Sequence, residues 1–412
     1  MAQPFVSIVV PTRDRPELLR YCLRSLVDQE FRDFEVIVSD NFEKTSARGV
    51  FNEIADHRFT YVTPPSPLAM HDNWEFAAEQ ARGTYVAVLI DKTVLRPSAL
   101  HTMHRVLSGM PAEVVSWWNE GYDPVSRSRY ERGEYGPTFR PCAPVYFDTR
   151  KELEARFNMG VRRGQEGIRY YRGKICFGAY HRELIARIKA RVGRLFYPVS
   201  PDYTSLIAAL ALTPSAVDVG EPLLISFNVT LSTGYNASTN PASLKAFLSQ
   251  IDPSLSLLHR MPVEGLYSSL HNCVALDYVQ MRDRLLPELA DIALDMRNLA
   301  LRATEDLAMV SWTGEAERAN QLGILDDFRR RHPPPNPPPP SSAETAPIAE
   351  DSPDLLRLAK HLASRVLGAR QSFLLKQSFN RIFGLKFPIR APYDSILKAA
   401  RAADHFYRHA RR

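Results

Sequence analysis

Asp91 is the residue of this chain best placed to do chemistry, because it follows a short apolar run and opens a polar turn. The run at residues 85–90 (YVAVLI) predicts a buried parallel strand, and ligands bind at the carboxyl ends of such strands in open α/β sheets. A carboxylate there can hold a divalent cation through its oxygens. Lys92 and Thr93 follow in place of a second carboxylate, and Thr93 offers only a weak neutral ligand. Because Mg²⁺ often binds through one or two carboxylates plus phosphate oxygens, one aspartate can suffice.

Polar residues also end two earlier predicted strands. Residues 5–12 predict a buried strand that leads into Thr12 and Arg13, and residues 34–41 predict a second strand that ends near Asp40. A guanidinium and a backbone turn can contact a nucleotide, and a carboxylate can accept a hydrogen bond from a base N–H. The structural alternatives are a solvated arginine and an aspartate that serves a turn or a helix cap.

These strand ends belong to a regular alternation of strands and helices. The predicted strands are 5–12, 34–41, 59–63, 85–91 and 113–119, and the predicted helices are 16–29, 45–55, 72–81 and 97–108. Such alternation predicts an α/β fold with a mostly parallel sheet flanked by helices. Residues 120–175, rich in Gly, Arg and Tyr, predict loops and short strands. Further elements at 175–180, 182–190, 202–212 and 222–228 complete a domain over residues 1–240.

Four segments in this order resemble the opening of family 2 glycosyltransferases with the GT-A fold. They are SIVVPTR at 7–13, EVIVSDN at 35–41, HDNWEFAAEQARGTYV at 71–86, and Asp91 ahead of VLRP at 94–97. The resemblance is good over residues 5–110 and looser to residue 230. It implies a GT-A-like (Rossmann-like) domain that moves a sugar from a nucleotide-diphosphate donor to an acceptor hydroxyl with inversion. It also implies a role in surface polysaccharide or glycoconjugate biosynthesis.

The same resemblance implies roles for individual residues. It assigns nucleotide binding to Pro11, Thr12, Arg13, Asp40, Asn73 and Arg82, and binding of Mg²⁺ or Mn²⁺ to Asp91 and Thr93. A UDP-sugar is the favoured donor, and the acceptor is a glycan or a lipid-linked or protein-linked group. For Asn73 the structural alternative is an N-cap of the predicted helix that it opens.

Inversion also needs a base that takes the acceptor's proton on the face opposite the leaving group. The sequence SPD at residues 200–202 opens a predicted helix and resembles the acceptor-side aspartate of the family, so Asp202 is the candidate catalytic base. The alternative is that Ser-Pro-Asp is simply a common helix opening. Asp148, Glu166 and Glu183 are further candidates for the base.

The C-terminal third is predicted to contain three parts. Residues 241–330 show apolar residues at helical spacing, residues 331–350 form a proline-rich linker, and residues 351–412 form a basic helical tail. The tail holds 13 Lys/Arg and 4 Asp/Glu, so the remaining 350 residues carry a net charge of −3 in a chain of +6. Apolar and basic residues together suit a helix on an anionic membrane surface. A helical bundle or a homo-oligomer contact is the equally ordinary alternative.

Composition restricts the remaining possibilities. The four cysteines are far apart and form no CxxC pair, which argues against a zinc site or a disulfide framework. No signal-peptide pattern and no apolar run of about 18 residues is present, so we expect a cytoplasmic protein, with peripheral attachment at the inner face of the membrane as an option. No nucleic-acid-binding module accompanies the basic tail, so nucleic acid is not an expected partner.

Two other functions remain compatible with these residues. A non-catalytic protein that binds a nucleotide sugar or acts as a scaffold would explain the missing second carboxylate. A nucleotidyltransferase would have a related sheet, but it would usually show a glycine-rich phosphate loop after the first strand, and PTRDRPE at 11–17 has no glycine.

Overall fold

A computed structural model describes residues 3–125, 130–161, 167–228, 233–334 and 390–410. Its strands are β1 (Val6–Thr12), β2 (Phe34–Asp40), β3 (Phe59–Val62), β4 (Tyr85–Val88), β5 (Thr93–Leu95), β6 (Val114–Pro124), β7 (Gly133–Tyr135), β8 (Val145–Tyr146), β9 (Gly178–His181), β10 (Ala216–Phe227) and β11 (Ala391–Tyr393). Its helices are α1 (Pro16–Val27), α2 (Arg48–Asn52), α3 (Met70–Glu79), α4 (Ala99–Gly109), α5 (Thr149–Phe157), α6 (Arg182–Val192), α7 (Pro201–Leu212), α8 (Thr233–Thr239), α9 (Pro241–Ile251), α10 (Leu270–Gln280), α11 (Met296–Met309), α12 (Glu315–Arg331) and α13 (Ile396–His409). Short 3-10 turns lie at Gly167–Tyr170, Ile175–Phe177, Ser256–Arg260 and Pro287–Leu289, and a π-helical turn at Met281–Leu285 extends α10.

The central sheet is mostly parallel, as predicted. Four parallel strands follow the order β3–β2–β1–β4. β9 pairs antiparallel with both β4 and β6, and β10 continues the sheet parallel to β6. The predicted α/β class is therefore confirmed, with β9 as an antiparallel strand inside the parallel order.

Helices cover both faces of this sheet, which explains why β1 and β2 are buried along their whole length. Alternate residues of β1 belong to different layers. Val9 packs in the core shared with α3, α6 and α7, whereas Ile8 and Val10 pack in the core shared with α1 and α4. Packing on both faces thus holds the residues at the ends of β1 and β2 in fixed positions.

β10 begins six residues earlier than the predicted strand at 222–228. The segment from Asp218 to Pro222 is polar and irregular, and the register with β6 shifts there. Gly220 has a φ of +81°, a left-handed conformation that glycine adopts without a side-chain clash. This irregularity interrupts the apolar pattern in the sequence, so the first half of β10 could not be predicted from that pattern.

Residues 241–330 are helical, but they share a core with the first domain. Leu299 of α11 and Phe328 of α12 lie in the same apolar cluster as Leu206 and Ile207 of α7. No helix in the described ranges has both the length and the apolar character that crossing a bilayer requires.

Residues 390–410, the described part of the predicted tail, pack against the first domain. β11 pairs with β7, and one face of α13 packs on Tyr122, Tyr135 and Phe227. The buried residues of α13 recur at helical spacing: Ile396, Ala399, Ala400, Ala403, Asp404 and Tyr407. The apolar face of α13 is therefore covered within the protein. The linker from residue 335 and the rest of the predicted tail to residue 389 lie outside the described residues.

Buried polar groups hold α13 in place. The carboxylate of Glu120 accepts hydrogen bonds from the Tyr407 hydroxyl at 2.7 Å, from the Thr138 N–H at 2.6 Å and from the Tyr135 hydroxyl. The guanidinium of Arg96 is paired with Glu221 at 3.0 Å and lies 4.9 Å from the centre of the Tyr407 ring. Burial raises the pKa of Glu120, although these donors oppose that effect. The packing of α13 on the first domain therefore includes directed hydrogen bonds as well as apolar contacts.

Candidate functional site

Three of the predicted residues meet at the carboxyl ends of β1, β2 and β4. Thr12 and Asp40 are the last residues of β1 and β2 and lie opposite each other in register. Asp91 follows β4, and the Thr12 hydroxyl donates a hydrogen bond to its Oδ2 at 2.8 Å. The parallel order thus brings together residues that are far apart in the sequence.

Asp40 holds one side of this site and keeps one oxygen free. Its Oδ2 accepts hydrogen bonds from the Ala47 N–H at 2.7 Å and from the hydroxyls of Ser46 and Tyr61. Its Oδ1 is buried and has no partner among the described residues. Because an unpaired buried acceptor is costly, this oxygen is suited to accept an N–H or O–H of a bound molecule.

Asp91 has the same division between its two oxygens. Oδ2 accepts from Thr12 and lies 3.1 Å from Nε of Arg15, whereas the buried Oδ1 has no partner within the described part of the chain. Burial raises the pKa of Asp91, and the nearby Arg15 guanidinium and Thr12 hydroxyl act against this rise. Arg15 was missed from the sequence because Arg13 stands in the same loop and fits the family motif.

The residues predicted to bind a metal fit a divalent cation poorly. Thr93 is buried, and its hydroxyl donates to the Ile90 carbonyl at 2.6 Å. Asp91 already lies against the Arg15 guanidinium, which would repel a cation on the same carboxylate. Among the residues the structure describes, no three His, Cys, Asp or Glu side chains are grouped closely enough to share a metal ion. The donor set at Asp91 and Thr93 therefore does not match the predicted Mg²⁺ or Mn²⁺ site.

The loops beside Thr12 are held by side chains. Pro11 and Arg13 flank Thr12, and Arg13 pairs with Glu43 and donates to the Leu68 carbonyl at 3.3 Å. Asp14 has a φ of 54° and accepts hydrogen bonds from the N–H groups of residues 43, 44 and 45. Burial alone would raise the pKa of Asp14, but these three donors lower it. The loop after β1 is thereby fixed to the loop after β2.

Asn73 lies behind Asp40. Its Oδ1 accepts a hydrogen bond from the Ser39 hydroxyl at 2.7 Å, and the side chain is buried. The N-cap of α3 is Ala69, so the alternative that Asn73 caps this helix is wrong. Asn73 instead supports the end of β2.

Arg82 lies at the opposite end of the sheet. It precedes β4, and its guanidinium pairs with Glu35, near the start of β2, at 2.6 Å. Because β1, β2 and β4 are parallel, these starts lie a strand's length away from Asp40 and Asp91. The structure therefore does not bring Arg82 together with Thr12, Asp40 and Asp91.

Asp202 lies in the first turn of α7 beside a buried lysine. Nζ of Lys174 is 3.4 Å from Oδ2 of Asp202, and it also lies 3.7 Å from the ring centre of Tyr203 and 4.1 Å from that of Tyr170. Burial lowers the pKa of Lys174, but the neighbouring Tyr170 and Asp202 raise it above its usual value. The Asp202 side chain is 22% exposed, so it is accessible to a bound molecule.

The other candidates for the base are less suitable. Asp148 caps α5, where it accepts from the Lys151 N–H at 3.0 Å. Glu183 is exposed in the first turn of α6. Glu166 lies outside the described residues.

Cys176 is a buried thiol in the turn before β9. The charges of Asp202 and Lys92 both act on the pKa of Cys176, which burial raises.

Asp277 of α10 supports the segment that leads into Asp202. Its Oδ1 accepts from the Val199 N–H at 2.6 Å, and its Oδ2 accepts from the Ser200 N–H at 2.8 Å. Burial raises the pKa of Asp277 to about 8, although both donors favour the charged form. The helical region thus helps to position the predicted base.

We expect Asp277 to make the chain less stable as the pH rises. The folded chain keeps this proton up to a pH of about 8, whereas the unfolded chain releases it near its ordinary pKa of 3.8. The contribution of Asp277 is therefore complete below that ordinary value and is lost as pH rises through about 8. Urea unfolding of Asp277→Asn across this range should show a flatter pH dependence than wild type. The exposed Asp326→Asn is the control, and equal slopes for wild type and Asp277→Asn would contradict the expectation.

Residues 7–173 match the family model Glycosyl transferase family 2. One curated relative, the GalNAc(5)-diNAcBac-PP-undecaprenol beta-1,3-glucosyltransferase of Campylobacter jejuni, is 31% identical over 24% of this chain and 33% of its own length. The O-antigen biosynthesis protein RfbC of Myxococcus xanthus is 37% identical over 24% of this chain and 8% of its own length. The matched region thus spans a third or less of these relatives.

Solved structures are similar at low identity. The S. aureus TarS 1–349 complex with UDP-GlcNAc has a TM-score of 0.44 and 12% identity, over 79% of this chain and 92% of that chain. The mannosyltransferase PcManGT of Pyrobaculum calidifontis, in complex with GDP-Man and Mn²⁺, has a TM-score of 0.38 and 14% identity, over 80% of this chain and 81% of that chain. At these values the two structures carry no information on the ligands of this chain.

Proposed function

We propose that this chain, whose residues 7–173 match the family model Glycosyl transferase family 2, moves a sugar from a nucleotide-diphosphate donor to an acceptor hydroxyl with inversion. One observation carries the proposal. Asp40 and Asp91 are both buried, at the carboxyl ends of β2 and β4, the two strands that flank β1, and each has an Oδ1 without a partner among the described residues. Two such acceptors at one sheet edge suit a ligand that has N–H and O–H donors at separate points, as a nucleotide sugar does.

The residues take different parts in this reaction. Asp40 accepts from the base N–H, which favours a uracil and hence a UDP-sugar, and Thr12 and Arg13 border the nucleoside. Oδ1 of Asp91 accepts from a hydroxyl of the donor. Asp202 takes the proton of the acceptor hydroxyl while the hydroxyl oxygen forms a bond to the anomeric carbon. The bond between that carbon and the diphosphate breaks, and its electron pair leaves with the diphosphate.

The names of the relatives support a lipid-linked acceptor. One is a glucosyltransferase named for a PP-undecaprenol glycan, and another is named for O-antigen biosynthesis. We therefore propose a role in surface polysaccharide or glycoconjugate assembly, at the inner face of the membrane. A binding or scaffold protein is the second candidate, because Asp91 has Arg15 beside it rather than a second carboxylate. Binding of a UDP-, GDP- or dTDP-sugar without turnover would favour that candidate.

The nucleotide site is tested by Asp40→Asn. The amide cannot offer both carboxylate oxygens, so we expect UDP to bind about 10-fold or more weakly, as for loss of a buried hydrogen bond to a charged group. Isothermal titration calorimetry measures this change, with Asp33→Asn, on the exposed segment just before β2, as the control. Unchanged UDP affinity in Asp40→Asn, or no affinity of wild type for any nucleotide, would contradict the proposed function.

A further inference from the structure

The pair of Arg15 and Asp91 places a fixed positive charge at the donor site. Arg15 immediately precedes α1, and its Nε lies 3.1 Å from Oδ2 of the fully buried Asp91. The Arg15 side chain is 22% exposed, so it is accessible to a bound molecule. Within the described part of the chain, its Nη groups donate no hydrogen bond. Arg15 therefore keeps donors for a ligand.

Neighbouring cations are less suited to this task. Arg13 is committed to Glu43 and to the Leu68 carbonyl. Arg82 lies at the other end of the sheet with Glu35. Arg15 is the arginine that contacts Asp91 directly.

The chemistry of the leaving group explains what Arg15 could do. A nucleoside diphosphate develops negative charge as the sugar departs, and a cation must neutralise it. A guanidinium binds phosphate oxygens through several N–H groups at fixed angles and remains charged at all working pH values. The N-terminus of α1 follows directly and adds a favourable field for an anion. A divalent cation on Asp91 would instead lie close to a like charge.

We infer that Arg15 takes the place of the divalent metal at the donor diphosphate, so that donor binding is independent of metal. Asp91 is then a positioning residue that orients the guanidinium and keeps it at the site. This inference rests on the proposed function, because it concerns the diphosphate of the proposed donor. It replaces the predicted metal site at Asp91 and Thr93 with an organic cation.

UDP tests the inference because it contains the diphosphate but no sugar. Calorimetry of the full chain should give the same Kd for UDP in EDTA and in excess Mn²⁺. Arg15→Ala should weaken UDP binding in EDTA by about 10-fold or more, and Arg15→Lys should lose less because it keeps the charge. Arg20→Ala is the matched control, since Arg20 lies on α1 and pairs with Glu53 on the surface.

Asp91→Asn separates the two kinds of site without removing Arg15. If the guanidinium binds the diphosphate, Asp91→Asn should weaken UDP binding by the same factor in EDTA and in excess Mn²⁺, because it loosens the contact that orients Arg15. If a metal binds the diphosphate, the variant should lose binding only in Mn²⁺. UDP binding by wild type only with Mn²⁺, a loss of binding in Asp91→Asn that occurs only with Mn²⁺, or unchanged binding in Arg15→Ala would overturn the inference and leave the proposed function standing. Absence of UDP and GDP binding under both conditions would instead overturn the proposed function and, with it, this inference.

Discussion

Replacement of Asp202 by asparagine is expected to lower the rate of sugar transfer by about 10²–10⁴-fold, the usual contribution of a general base. The asparagine keeps the size and the helix position of the side chain but cannot take the proton of the acceptor hydroxyl. UDP affinity should be unchanged, because Asp202 lies at the start of α7 and not at the strand ends around Asp40. Transfer from a radiolabelled UDP-sugar and UDP calorimetry together measure the two effects.

Two controls make the result specific to Asp202. Glu183→Gln alters another carboxylate in the first turn of a helix, on the exposed surface of α6, and should transfer at the wild-type rate. Thermal unfolding of Asp202→Asn shows whether loss of the contact with Lys174 has changed the fold. Wild-type transfer by a folded Asp202→Asn would exclude Asp202 as the base.

The second large effect is expected on stability, from Tyr407→Ala. Tyr407 is fully buried, donates to Glu120 at 2.7 Å and packs under the Arg96 guanidinium. Truncation of a large buried aromatic side chain costs about 3–5 kcal/mol of the free energy of unfolding. Urea unfolding followed by tryptophan fluorescence measures this loss.

Neighbouring variants divide the effect into parts. Tyr407→Phe keeps the ring and removes the hydrogen bond, so we expect a loss of about 1 kcal/mol. Phe406→Ala removes an aromatic side chain that is 39% exposed on the same helix, and its cost should be small. Equal stability of Tyr407→Ala and Phe406→Ala would show that α13 does not stabilise the first domain.

The fold could be predicted because its signals are local. Apolar runs at 5–12, 34–41 and 85–91 and the helical spacing between them specify parallel strands with covering helices. The parallel order then brings the strand ends together, so Thr12, Asp40 and Asp91 could be expected at one edge. The described positions of these three residues agree with that expectation.

Side-chain contacts between residues that are far apart in the sequence could not be predicted. Arg15 acquires its importance from Asp91, which lies 76 positions later in the sequence. Lys174 stands in a segment without a clear pattern, and its contact with Asp202 exists only in the folded chain. Arg82 was grouped with the strand-end residues by its motif, whereas a residue just before a parallel strand lies at the amino end of the sheet, where the structure has it.

The contact between β7 and β11 has a consequence for how the protein is made. Residues 390–410 leave the ribosome after every other described element of the sheet, yet they cover Tyr122, Tyr135 and Phe227 and pair with the outer edge of β7. Until they arrive, the nascent domain presents an unpaired strand edge and an apolar surface, which are the features that favour aggregation. Folding of this domain therefore cannot finish during synthesis of its own first 334 residues, and a premature stop in the linker would yield a domain with an open edge.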